Sequence, residues 1–141
     1  MLLIFLKSCG KLSVERVGFM KESNKRNPLN NFDAQFKKAT LQLLILSILS
    51  DEEMYAYEIA QTILERSGGK YKAPLLYTSI SKLEAYGFVT ESRKESVSNR
   101  MRVYYMITDS GLSYLSQLKG LYKDLTDVVY DIAYSKEERD S

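Results

Sequence analysis

The 141-residue chain contains no histidine and no tryptophan, one cysteine (Cys9) and two prolines. Without histidine, neither a Ser-His-Asp nor a Cys-His nucleophile can be assembled, and His-ligated metal sites are excluded. A single cysteine excludes an internal disulfide framework and a Cys-rich zinc site. A long apolar run is also missing: the densest stretch, Leu41 to Leu49, is about half of the ~20 residues a spanning helix needs. Met1 to Leu6 is apolar but lacks a positive n-region and falls short of the ~7–15 residues of a signal h-region. Leu6-Lys7-Ser8-Cys9 bears a faint likeness to a lipoprotein cleavage site, and Lys7 argues against it. These absences point to a cytoplasmic protein with no membrane, metal or cofactor dependence. They make an enzyme less favoured without excluding one, since Asp, Glu, Lys and Tyr can carry chemistry. No Gly-rich phosphate loop, metal-ligand spacing or carboxylate pair is present, so no catalytic residue is assigned, and Glu52 and Glu53 read as a solvated loop.

What is present is a foldable composition, 45% hydrophobic and 27% charged, with 11 tyrosines. Residues 1–33 show no sustained period and read as a disordered or non-native N-terminal extension. A purine-rich coding stretch over Glu15-Arg16 would leave Met20 as a second candidate start. From Asp33 the pattern is firm. Phe36 to Ser50 is apolar almost all round, as in a helix buried on several sides. Tyr55 to Arg66 places Ile59, Ile63 and Leu64 on one face, and Ser67-Gly68-Gly69 ends that helix. Pro74 suits the first turn of a third helix, which runs to Tyr86 and ends at Gly87. The period then changes from about 3.6 to 2. Phe88 to Glu95 and Arg100 to Thr108 are expected to form a hairpin about Val97-Ser98-Asn99. Thr108 or Asp109 caps a last helix, with Leu115, Leu118, Tyr122, Leu125, Val129 and Ile132 spaced as a heptad seam that Leu121 and Val128 widen. The tail from Ser135 is expected to fray.

Three helices followed by a hairpin is the order of a winged helix-turn-helix: a mainly α fold with a two-stranded β-hairpin. The expected organisation is an extension over 1–33, a DNA-binding domain over 34–108, a dimerisation helix over 109–134 and a charged tail over 135–141. In this fold the third helix enters the major groove and the wing lies on the phosphate backbone. Leu76, Ile80 and Leu83 share one face of the third helix. Opposite them lie Pro74, Thr78, Ser81, Lys82 and Ala85, with Tyr77 on the flank, a short polar surface able to sit against base edges. The near-zero total charge hides a strong partition. Residues 70–108 carry a net +4, residues 39–69 a net −4, residues 109–141 a net −3 and residues 1–38 a net +5. Local positive charge drives the salt-dependent part of DNA affinity, and Arg93, Lys94, Arg100 and Arg102 flank the hairpin turn.

Thr78, Ser81 and Lys82 are therefore assigned to base reading. Tyr57, Tyr77, Lys37, Lys38, Lys72, Lys94, Arg100 and Arg102 are assigned to phosphates, although Tyr57 and Tyr77 would serve equally by packing their rings and exposing only the hydroxyl. The seam of Leu115, Leu118, Leu121, Tyr122, Leu125, Val129 and Ile132 needs a partner surface: a second copy, or the first helix of the same chain. A two-fold dimer would present two third helices about one DNA turn apart and bind an inverted repeat in double-stranded DNA. The alternative is a winged-helix protein–protein module that binds no DNA, against which the basic wing argues.

Three motifs, in order and correctly spaced, resemble the PadR family of bacterial transcriptional regulators. They are Tyr55-Ala56-Tyr57-Glu58-Ile59, the run from Leu76 to Val89 containing Glu84-Ala85-Tyr86-Gly87-Phe88, and Tyr104-Tyr105-Met106-Ile107-Thr108-Asp109-Ser110-Gly111. The likeness covers roughly residues 36–134. Ala56 stands where the family usually has Gly, Thr78 where it has Pro, and Ala73-Pro74-Leu75 where Gly-Thr is common. The resemblance implies a short-subfamily homodimer built on the first and last helices. It also implies a repressor of its own and a neighbouring gene, released by a small hydrophobic or aromatic effector. Phe36, Tyr122 and Tyr130 are the candidate effector-lining residues, with ordinary dimer core as their other role.

Overall fold

The computed structural model describes residues 27–140. The expectations for residues 1–26, including the alternative start and the Cys9 site, lie outside the described residues. Seven elements follow in order: α1 (Pro28–Leu49), β1 (Met54–Tyr55), α2 (Ala56–Arg66), α3 (Leu76–Ala85), β2 (Val89–Val97), β3 (Arg100–Ile107) and α4 (Asp109–Asp140). Residues up to Ala39 and those from Thr40 onward form two separate compact units.

Helix α1 begins well before the expected Phe36. Asn27 caps it: the Leu29 amide donates to Asn27 Oδ1 at 2.9 Å, and the Asn31 amide to the Asn27 carbonyl at 3.1 Å. Pro28 then occupies the first helical position, where its fixed φ helps and its missing N–H costs nothing. Asn-Pro is thus a start signal here rather than a break, and residues 28–33, expected to be irregular, are helical. In the first unit every described residue except Lys37 is exposed, and Phe32 and Phe36 pair their rings at 6.4 Å.

In the second unit the rest of α1 buries Thr40, Leu41, Ile45, Leu46, Ile48 and Leu49. These pack with Ala56, Ile59 and Ile63 of α2, Leu76, Ile80 and Leu83 of α3, Val89 of β2 and Leu115 of α4 in one core. The periodic faces read from the sequence on α2 and α3 are therefore the buried ones. The buried Thr40 hydroxyl is satisfied by the Tyr71 hydroxyl at 2.8 Å.

Three boundaries differ from expectation. The sheet has three strands, not two, in the order β1-β3-β2: Met54 pairs with Tyr105 and Tyr55 with Tyr104. A two-residue strand is too short to display a period of 2. Pro74 lies two residues before α3 rather than in its first turn. The Leu76 amide bonds to the Ala73 carbonyl at 3.2 Å, closing a turn over Ala73-Pro74-Leu75, and the residue preceding a proline is disfavoured in helical conformation. Helix α4 continues to Asp140 rather than ending near Ser135.

The hairpin turns on Ser98 (φ 51°) and Asn99 (φ 64°). Two successive left-handed residues make the primed turn whose twist suits a two-residue hairpin. A bulge at Ser92 interrupts the β2–β3 register. The start of α4 is clamped to the end of α3. Gly87, at φ 81°, ends α3 in a conformation that glycine adopts without cost. Its carbonyl accepts from Thr108 Oγ1 at 2.7 Å and from Ser110 Oγ at 2.9 Å. Thr108 caps α4 by accepting from the Gly111 amide at 3.0 Å. A Cβ on Gly111 would run into the Phe88 carbonyl oxygen, so the close approach of α4 to the residue just before β2 requires glycine.

Candidate nucleic-acid interface

The outward side of α3 is as polar as its sequence implies. Tyr77, Thr78, Ser81, Lys82 and Ala85 are exposed, while Leu76, Ile80 and Leu83 are buried beneath them. Next to this helix, a groove of about 540 Å³ runs between the start of α2 and the wing. It is lined by Tyr55, Ala56, Tyr57 and Tyr77, and by Val97, Ser98, Arg100, Met101, Arg102, Val103 and Tyr105. Four of the residues selected from the sequence thus meet in one groove: Tyr57, Tyr77, Arg100 and Arg102. Thr78, Ser81 and Lys82 stand on the neighbouring face of α3, and Lys72 is exposed before it. Tyr57 and Tyr77 are 61% and 68% exposed, which removes them from the core. Lys37 and Lys38 stand on α1 in the first unit, Lys37 paired with Asp33 at 2.8 Å.

The strand register explains which wing side chains work together. Directly paired residues of an antiparallel ladder share a face. Arg93 and Tyr104, Glu95 and Arg102, and Val97 and Arg100 are such pairs, with Tyr55 beside Tyr104 on β1. On this face cations and rings interleave. The Arg93 guanidinium lies 3.6 Å from the Tyr104 ring centre, Tyr104 meets Tyr55 edge-on at 5.3 Å, and the Arg102 guanidinium lies 4.6 Å from the Tyr55 ring. Such stacking holds a guanidinium in place without neutralising it.

The cations nonetheless differ. Arg93 is bound to Glu53, and Ser92 Oγ donates to the same carboxylate at 2.6 Å. Those hydrogen bonds, Ser92 first and Arg93 second, hold the Glu53 carboxyl below its ordinary value. Glu53 is therefore not the solvated loop residue expected. It ties the α1–α2 connection to the wing, with Arg93 as its counter-ion. Lys94 lies 3.8 Å from Glu91 across exposed solvent, a pair of little strength. Among the described residues, Lys72, Lys82, Arg100 and Arg102 make no ion pair. Burial first, then the charges of Glu84 and Glu91, push the Tyr105 phenol above its ordinary value, so it remains a neutral hydrogen-bonding group in the groove.

Tyr55, Met101 and Tyr105 line the groove without having been selected from the sequence. The period of 2 in β3, which puts Met101 and Tyr105 on one face, was the available signal for two of them. On α4 the expected seam divides. Leu115 is 4% exposed and belongs to the chain's own core, which corrects its assignment to a dimer surface. Leu118 is half-buried, whereas Leu121, Tyr122, Leu125, Val128, Val129 and Ile132 are exposed.

Three helices, a three-stranded sheet whose hairpin forms the wing, and a long C-terminal helix, with cations beside the third helix that make no ion pair among the described residues, define a winged helix-turn-helix DNA-binding protein. The profile of the transcriptional regulator PadR-like family matches residues 45–117. The chain belongs to that family of DNA-binding, non-enzymatic transcriptional regulators. It is similar in structure to a transcriptional regulator from Clostridium thermocellum (25% identity, 70% of this chain and 98% of that one, TM-score 0.65). It is likewise similar to a PadR family transcriptional regulator from Eggerthella lenta (26%, 75% and 92%, TM-score 0.66). A PadR-like transcriptional regulator from Bacillus cereus also aligns with it (25%, 70% and 95%, TM-score 0.59). Among the described residues no helix is long and apolar enough to cross a membrane.

Proposed function

We propose that this regulator acts as a homodimeric repressor that reads an inverted-repeat operator, with residues 34–108 as reading head and the last helix as dimer contact. The observation that carries this reading is the juxtaposition of an uncrowded polar α3 face with the wing cations Arg100 and Arg102, which make no ion pair among the described residues. Thr78, Ser81 and Lys82 reach base edges. Tyr57, Tyr77, Lys72, Arg100 and Arg102 hold phosphates, with Lys94, Lys37 and Lys38 adding weaker contacts. The exposed apolar side of α4, from Leu121 to Ile132, pairs with a second copy, because isolated helices do not leave such a stripe in water without cost. Release by a small hydrophobic or aromatic compound fits the exposed rings of Tyr122 and Tyr130 on α4, and Phe36 in the first unit is a separate candidate for such a contact.

The test is footprinting on the chain's own upstream region, with affinity measured across a salt series. Two symmetric protected half-sites about one helical turn apart, and affinity that falls steeply with salt, are expected. Salt-independent association, or a single unpaired footprint, contradicts the reading.

A further inference from the structure

Between the reading head and α4 lies a joint made by ring stacking and hydrogen bonds. The Phe88 and Tyr114 rings stack at 4.3 Å with planes 9° apart. The Tyr114 hydroxyl donates to Gln42 Oε1 on α1 at 2.8 Å. One turn earlier, Thr108 and Ser110 both donate to the Gly87 carbonyl, and the Thr108 amide donates to the Phe88 carbonyl at 3.0 Å. Gly87 and Phe88 directly follow α3. The helix proposed to read DNA and the helix proposed to pair with a second copy are thus joined through the Phe88–Tyr114 stack, the Gly87 latch and the packing of Leu115 in the core. Beyond Leu115 the support thins out: Leu118 is half-buried and none of residues 116–137 is fully buried.

Helix α4 is therefore a lever clamped at its base. From Leu115 to its end it extends ~38 Å, so a tilt of about 10° at the joint moves the far end by ~7 Å. That is roughly two base-pair steps of DNA. In a dimer joined along this lever, the joint angle decides how far apart the two recognition helices stand.

We propose that Tyr114 is a positioning residue: through its stack on Phe88 and its bond to Gln42 it fixes the angle between α3 and α4, and so sets the half-site spacing the regulator accepts. This rests on the dimeric reading above. Tyr114 touches neither DNA nor the dimer seam in that reading, and its effect is on geometry rather than on contact energy.

The experiment uses the full chain and DNA selected by the unmodified protein from random-sequence duplexes. Affinity is then measured for a single half-site and for inverted repeats whose spacer is changed one base pair at a time. Tyr114→Leu, which loses both stack and hydroxyl, is expected to keep half-site affinity within about twofold. Its discrimination between the best spacer and the neighbouring ones is expected to fall at least fivefold. Tyr114→Phe and Gln42→Ala, which remove only the outer hydrogen bond, broaden the preference less. Unchanged spacing preference in Tyr114→Leu overturns the proposal, as does an equal loss on half-site and full site. Should Tyr114→Leu not fold, unchanged preference in both Tyr114→Phe and Gln42→Ala overturns it. If the unmodified protein is a monomer on its selected DNA and enriches single half-sites, the dimeric reading itself fails and the proposal falls with it.

Discussion

The winged head and the outer part of α4 are satisfied in opposite ways. In the head the aliphatic faces of α2 and α3 are buried, and among the described residues several cations stand without a carboxylate. Beyond Leu118 on α4 the apolar side chains stand in solvent, while Lys123 pairs with Asp127 at 2.8 Å one turn away. Each region lacks what the other has in hand: one is left needing an anion, the other an apolar surface. An unsatisfied group type thus predicts the partner type better than total charge or total hydrophobicity does, since both sums average the two regions away.

The largest test of this contrast compares two isoleucines. Ile80 is 1% exposed and Ile132 73%. Ile80→Ala is expected to destabilise the fold by ~2–5 kcal/mol, through lost transfer energy and a cavity. Ile132→Ala should stay within ~0.5 kcal/mol for the isolated chain, yet weaken self-association measured by sedimentation. Equal stability loss in both would erase the distinction. Two glycines of α4 sharpen it next. Gly111→Ala places a methyl group against the Phe88 carbonyl and should cost about 3 kcal/mol in urea unfolding. Gly120 has open space around its Cβ position, and Gly120→Ala should stabilise by ~1 kcal/mol, the helix-propensity difference.

A smaller effect separates the cations. Lys82→Ala is expected to weaken specific DNA binding by ~1–3 kcal/mol if the side chain meets a base. Arg102→Met should lower the slope of log affinity against log salt by about 0.9, the value of one phosphate contact. Arg93→Met should leave that slope nearly unchanged, because Glu53 already neutralises Arg93 in the free protein. A slope change as large for Arg93 as for Arg102 would show that internal pairing does not decide which cations serve DNA.

Much of this was legible in the sequence, and what was not has a common cause. The faces of α2 and α3 and the hairpin position follow from local periods of 3.6 and 2, which the chain declares every few residues. The polar α3 surface and the Arg100 and Arg102 cluster follow from the same periods. The Glu53–Ser92–Arg93 tie joins residues some forty positions apart, and no spacing rule announces it. Strand β1 and the division of the seam at Leu115 depend on what packs beside them rather than on their own pattern. Asn27-Pro28 carried a readable signal that points the other way once Asn is seen as the cap.

The Glu53 tie also yields the smallest expected effect. Ser92 and Arg93 hydrogen-bond to the carboxylate and hold its folded value below the ordinary 4.5. A group depressed on folding binds more protons when unfolded, so its contribution to stability is present above the unfolded value. That contribution is lost as pH falls through the folded one. The window is therefore acidic, below about pH 4.5, and DNA binding near neutrality is outside it. Because the carboxylate is solvent-accessible, the effect is modest. Glu53→Gln keeps the shape and removes the titration. Its unfolding midpoint should lie slightly below that of the unmodified protein at neutral pH and converge with it as pH drops. Parallel curves across the whole range would mean that the wing is held at its base by the Tyr55, Tyr104 and Arg93 stack alone, with the Glu53 charge playing no part.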